Sequence, residues 1–76
     1  MNIHEYRSSD FIEAIVLRYY GHKILHVDKS EKRAVFHFEY SYDTDVLLEK
    51  YRKRELLVEP QSFYLCEREI KDRLYN

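Results

Sequence analysis

The sequence predicts a small α+β fold in one domain over residues 1–76: helix, β-hairpin, helix, short extended stretch, helix. Three observations predict it. Apolar residues recur at helical spacing up to Gly21, alternate with polar residues over 23–40, and return to helical spacing from Tyr42. The stretch 33–40 is the clearest strand, with Ala34, Phe36, Phe38 and Tyr40 on one face and Val35, His37 and Glu39 on the other. Hydrophobic residues make up 45% of the chain while Gly and Pro occur once each, so a core is available and flexible linkers are not.

Residues 1–7 are polar and read as loosely held, with Ile3 and Tyr6 as anchors. Ser8, Ser9 and Asp10 read as a helix start. Asp10 with Glu13 three residues on matches a capping box, and Ser9 is a competing cap. The helix runs to about Tyr20. Phe11, Ala14, Ile15, Leu17 and Arg18 follow its period, and Ile12, Val16 and Tyr19 widen the stripe, which predicts burial on more than one side. Gly21 stops it, because glycine suits the left-handed position just past a helix end.

The first strand spans 23–28, with Leu25 and Val27 on one face and Ile24 and His26 on the other. The turn over 28–32 lacks Asn-Gly or Asp-Gly. Two registers match the apolar faces of the hairpin. Val27 faces Ala34 with Leu25 against Phe36, or Val27 faces Phe36 with Leu25 against Phe38; a one-residue slip would turn polar positions inward. A hairpin alone is marginal in water, so it needs a cover or a third strand. A second helix starts after residues 41–45, with Asp43, Thr44 and Asp45 as candidate caps, and continues to about Arg54. Leu47, Leu48 and Tyr51 turn inward. Residues 55–58 form either a third strand or a packed connector. Glu59 and Pro60 open the last helix, where Phe63, Cys66, Ile70 and Leu74 recur at helical spacing and read as buried.

These features carry a resemblance. Asp10, Phe11 and Ala14, then Gly21, the run 36–39, Leu48 and Tyr51, the run 55–60, Phe63, and Leu74 with Tyr75 resemble a family of short domains of unknown function found in bacteria, archaea and their viruses. The likeness covers roughly residues 8–76. It departs at Glu59, where the family pattern has Asp, and at Arg52, where the pattern has an aromatic. The resemblance implies the fold above and points toward a viral or mobile-element association. It implies no activity and transfers no site.

Thirteen basic residues face fourteen acidic ones, a balance that argues against generic phosphate binding. The single cysteine, Cys66, excludes an intramolecular disulfide framework. No secretory segment stands near Met1, and no apolar run approaches the ~20 residues that span a bilayer. A reducing, cytoplasmic location is the expectation.

Candidate chemistry divides into four groups. His26 and His37 share the face opposite Phe36 and Phe38, and in the second register they stand across from each other. There they could hold Zn with His22 or a carboxylate completing the shell. The commoner case is an ordinary polar sheet face, so no metal or cofactor is assigned. Cys66 lies on an apolar stripe, where cysteine is usually core, and the acid pairs Asp43/Asp45 and Glu67/Glu69 have nothing that places them in a pocket. No catalytic residue is assigned and the chain is read as not an enzyme. Lys50, Arg52, Lys53 and Arg54 are candidate phosphate contacts, against the commoner reading of a solvated helix end opposed by Glu49 and Glu55. Eight tyrosines exceed what so small a core can bury. Tyr19, Tyr20, Tyr40 and Tyr42 are therefore candidate interface anchors, against the alternative that they cap the core's edges. The expected function is a protein-interaction module, self-associating as a homodimer, weighed against a monomer kept apart by surface charge. A small nucleic-acid-associated regulator using residues 50–54 is the alternative.

Overall fold

The computed structural model describes residues 4–75. Its elements are β1 (Glu5–Ser8), α1 (Phe11–Tyr19), β2 (Ile24–Asp28), β3 (Val35–Glu39), α2 (Tyr42–Arg52) and α3 (Pro60–Tyr75). The α+β class and the order helix, hairpin, helix, helix are as the sequence predicts. The origin of the third strand differs. Residues 55–58 belong to no strand, and β1, from the segment read as loose, pairs with β3 instead. The sheet order is β1-β3-β2, antiparallel throughout, so the aromatic strand is central. Tyr6 stands opposite Phe38 and Ser8 opposite Phe36, which is how Tyr6 anchors the segment. Ile3, the other expected anchor, lies outside the described residues. A four-residue strand with one large apolar side chain has almost no periodicity of its own. It forms because β3 offers it a row of unpaired backbone groups.

The hairpin takes the second register at its turn end, with Val27 opposite Phe36 and His26 opposite His37. An irregularity between Ile24 and His26 then puts Ile24, not Leu25, opposite Phe38. The expected sharing of a face by Ile24 and His26 is therefore wrong. The extra residue at Leu25 reverses the alternation, and Ile24 turns into the core at 6% exposure.

The core joins Phe36, Phe38 and Ile24 of the sheet to Ala14, Ile15, Val16 and Leu17 of α1, Leu47 and Leu48 of α2, and Ile70 of α3. Four consecutive buried residues require α1 to be enclosed on more than one side. It packs against α3, α2 and β1. Phe63, Cys66 and Leu74 are only half-buried, because α3 is an outer helix that closes the core chiefly through Ile70. An ion pair between Arg18 and Glu69 at 2.8 Å links α1 and α3 at the surface.

Each helix is bounded by local chemistry. The Asp10 carboxylate accepts the Glu13 N–H at 3.1 Å. Past α1, Gly21 has φ of 90°; its N–H donates to the Arg18 carbonyl at 3.1 Å and the His22 N–H to that of Leu17 at 3.0 Å, a Schellman motif. α2 ends in the same motif, two residues before the expected end. The Arg54 N–H donates to Tyr51 at 3.1 Å and the Glu55 N–H to Lys50 at 3.0 Å, with Arg54 itself at φ 60°. At the start of α2 the cap is Ser41, not Asp43, Thr44 or Asp45. Thr44 is buried one turn in, where its Oγ1 accepts the Ser41 N–H at 3.0 Å; the two aspartates lie in the first turn, where negative charge suits the helix dipole. The Glu59 carboxylate accepts the Gln61 and Ser62 N–H groups at 2.8 and 2.9 Å ahead of Pro60. Among the described residues no helix is long and apolar enough to cross a membrane.

Candidate functional site

The connector between α2 and α3 shapes the main concavity. Two tyrosines at the end of α1 hold it. The Tyr20 hydroxyl donates to the Leu57 carbonyl at 2.6 Å, and the Glu59 N–H donates to the Tyr19 hydroxyl at 2.9 Å. Tyr19 packs edge-on to Tyr20 and tilted against Phe63. These contacts satisfy backbone groups of residues 55–59 from the side, where no partner strand is present. They leave an open groove of about 450 Å³, lined in part by Tyr20, Val46, Leu47, Leu56 and Leu57. Leu56 is half-buried at its floor, while Leu57 is 88% exposed. Val46 and Tyr42 stand one turn apart on α2 and extend this apolar strip, with Tyr42 79% exposed.

The four expected interface tyrosines thus have different surroundings. Tyr19 and Tyr20 staple the connector, Tyr40 donates its hydroxyl to Asp45, and Tyr42 stands out from the surface. The bond to Asp45 holds the Tyr40 phenol above its ordinary pKa. Apolar Leu57, Val46 and Val58 are exposed beside them, and the sequence reading did not single these out. Leu57 follows Leu56 in a stretch with neither helical nor alternating period, so nothing local says which of the two turns outward.

The basic residues do not form one patch. Lys53 pairs with Glu49 at 3.2 Å, and both lie in a shallow depression with Lys50, Asp45 and Glu55. Arg52 lies toward Tyr6, whose phenol is pushed up to about 12 by burial and by its bond to Glu13. Arg54 occupies the left-handed position after α2. Of the acids, Glu67 pairs with Lys71 at 2.9 Å and Glu69 with Arg18. Cys66 is a half-buried free thiol.

The outer sheet face carries the histidines. His26 and His37 stack with ring centroids 4.0 Å apart and planes 17° from parallel. His37 Nδ1 lies 3.0 Å from a Glu5 carboxylate oxygen, and that bond holds Glu5 below the usual carboxylate range. His22 is not among them. Its Nε2 lies 3.1 Å from Thr44 Oγ1, and its Nδ1 is buried with no hydrogen-bond partner among the described residues. The carboxylate beside the pair comes from β1, the strand that sequence periodicity does not reveal.

Comparison with curated proteins and with solved structures gives no significant match. A family model for a domain of unknown function, DUF5659, matches residues 3–76. That match spans nearly the whole chain, including β1, the groove and the histidine face, and the chain belongs to the DUF5659 family.

Proposed function

We propose that this chain is a small non-enzymatic interaction module whose partner at the connector groove is a second copy of itself. The carrying observation is that Leu57, 88% exposed, projects from the rim of an apolar groove lined by Tyr20, Val46 and Leu56. A knob and a hollow side by side on one face are what a two-fold contact needs, since each copy can seat its knob in the other's hollow. The rim carries both signs, with Asp43 and Glu55 beside Lys50, so a two-fold axis can set opposite charges against each other. Exposed leucine and tyrosine on a domain with so small a core also gain from being covered. The β2 edge of the sheet is a weaker route, because the irregularity between Ile24 and His26 blunts it. A reducing cytoplasmic setting suits the free thiol of Cys66. Nucleic acid is less favoured, since Lys53 is paired and Lys50 shares its depression with three carboxylates, those of Asp45, Glu49 and Glu55.

Sedimentation equilibrium at tens of micromolar tests the reading. The expected result is dimer mass that falls toward monomer for Leu57→Asp, with an unchanged circular dichroism spectrum. Monomer mass across the range for the parent chain refutes it. A dimer indifferent to both Leu57→Asp and Tyr42→Ser moves the interface elsewhere and refutes the groove.

A further inference from the structure

We propose that Glu5, His26 and His37 form an intrachain binding site for a zinc-type divalent metal ion, one ligand from each of the three strands. The donor atoms of these side chains lie within 4.8 Å of one another. Two imidazoles and one carboxylate are a ligand set that Zn²⁺ accepts in tetrahedral sites, with water in the fourth position. Bonds of about 2.0–2.2 Å in that geometry put donor atoms roughly 3.3 Å apart. The His37 Nδ1–Glu5 pair already stands at 3.0 Å, so closure is needed chiefly from His26. His26 can supply the movement, because it is exposed on an edge strand. His37 is 7% exposed on the central strand and is held by Glu5 from the other side. A buried histidine with a carboxylate 3.0 Å from its Nδ1, and an exposed histidine stacked against it, form a partly organised site in which zinc would displace the proton between His37 and Glu5.

The surroundings carry charge of both signs. Asp28, opposite Val35, and Glu39, opposite Glu5, add two further carboxylates to the face. Arg7 stands opposite His37 on β1 and acts against a cation. Zinc here would tie β1 and β2 to β3. β1 is the shortest strand and carries one large apolar side chain, Tyr6, so the ion would reinforce its pairing with β3. This site is on the opposite face of the sheet from the core and does not rest on the groove reading.

The test is calorimetric titration of the untagged, metal-stripped full chain with ZnCl₂, with Co²⁺ absorption reporting ligand geometry. The expected result is one Zn²⁺ per chain, a melting temperature that rises with zinc, and at least a tenfold loss of affinity in both His26→Ala and Glu5→Gln. Both changed residues are exposed, so the variants should fold, and a parent-like metal-free circular dichroism spectrum with a cooperative melt verifies it, with Glu5→Gln melting slightly earlier because it loses the charged bond to His37. His4→Ala should leave binding intact and Arg7→Ala should strengthen it. Absence of binding at millimolar zinc overturns the proposal. So does binding that survives His26→Ala, or one ion per two chains, which would mean bridging between copies.

Discussion

Truncating Phe36 to alanine tests the core assignment most directly. Phe36 is 2% exposed on the central strand, with Ser8 opposite on β1 and Val27 opposite on β2. A buried phenylalanine removes about 150–250 Å² from water, and at about 25 cal/mol per Å² that is roughly 4–6 kcal/mol as an upper bound. The alanine keeps one carbon, and core Phe→Ala changes cost about 3–5 kcal/mol. At the usual stability per residue, a chain of 76 residues has a total of only about 4–11 kcal/mol. Phe36→Ala should therefore remove between about a quarter and all of it. Urea unfolding followed by circular dichroism reads the loss. Phe36→Leu, expected to cost about 1 kcal/mol, gives a measurable curve if the alanine variant is already unfolded. Leu57→Ala is the control, measured at a concentration where the chain is monomeric: it is exposed and should there stay within about 0.5 kcal/mol of the parent. A cost below about 1 kcal/mol for Phe36→Ala, or one equal to that of Leu57→Ala, would mean the sheet's inner face is wrongly assigned.

Other expectations follow from single contacts. Arg54→Gly should stabilise the chain by up to about 1 kcal/mol, because Arg54 sits at φ 60° in a position glycine occupies without strain; destabilisation in urea would contradict this. Tyr20→Phe should cost about 0.5–1 kcal/mol by freeing the Leu57 carbonyl, while Tyr19→Phe should speed hydrogen exchange at the Glu59 amide, which otherwise donates to that hydroxyl. Glu5 and Glu59 are both held below the ordinary value of 4.5, Glu5 by its bond to His37 and Glu59 by the Gln61 and Ser62 amides. The folded state binds those protons less tightly than the unfolded chain, so their stabilisation is present above 4.5 and is lost as pH falls through the lower folded values. Glu59→Gln should flatten that loss in unfolding curves taken between about pH 6 and pH 3. Tyr6 has the opposite sign: its pKa is raised from 10.0 to about 12, so its contribution is present below 10 and disappears as pH rises toward 12. Ultraviolet titration of tyrosinate should show late-ionising groups, since Tyr40 and Tyr51 are also held above the ordinary value, and the latest of them should move earlier in Glu13→Gln.

Elements whose causes are local are legible in the residues alone. Periodicity marks α1, the hairpin, α2 and α3, because a helix or strand facing a core must repeat its apolar residues at its own pitch. Asp10, Gly21 and Pro60 mark boundaries, because capping and backbone geometry act within one turn. Matching the apolar faces of the hairpin also reduced the register to two choices, one of which forms at the turn. Other features depend on partners far along the chain, and only the tertiary structure decided them. β1 has too little pattern to announce itself, and pairing with β3, some thirty residues away, is what makes it a strand. The irregularity at Leu25 places Ile24 opposite Phe38 and buries it in the core, a pairing that the alternation of the segment alone does not predict. Arg54 adopts a left-handed conformation where the chain leaves α2 for the connector that Tyr19 and Tyr20 hold. The Glu5–His37 contact spans thirty-two positions, so the histidine pair was visible as a possibility on the hairpin, but its carboxylate was not. Periodicity records which face each segment buries; which segment lies against it is settled by the summed burial and backbone pairing of the whole chain.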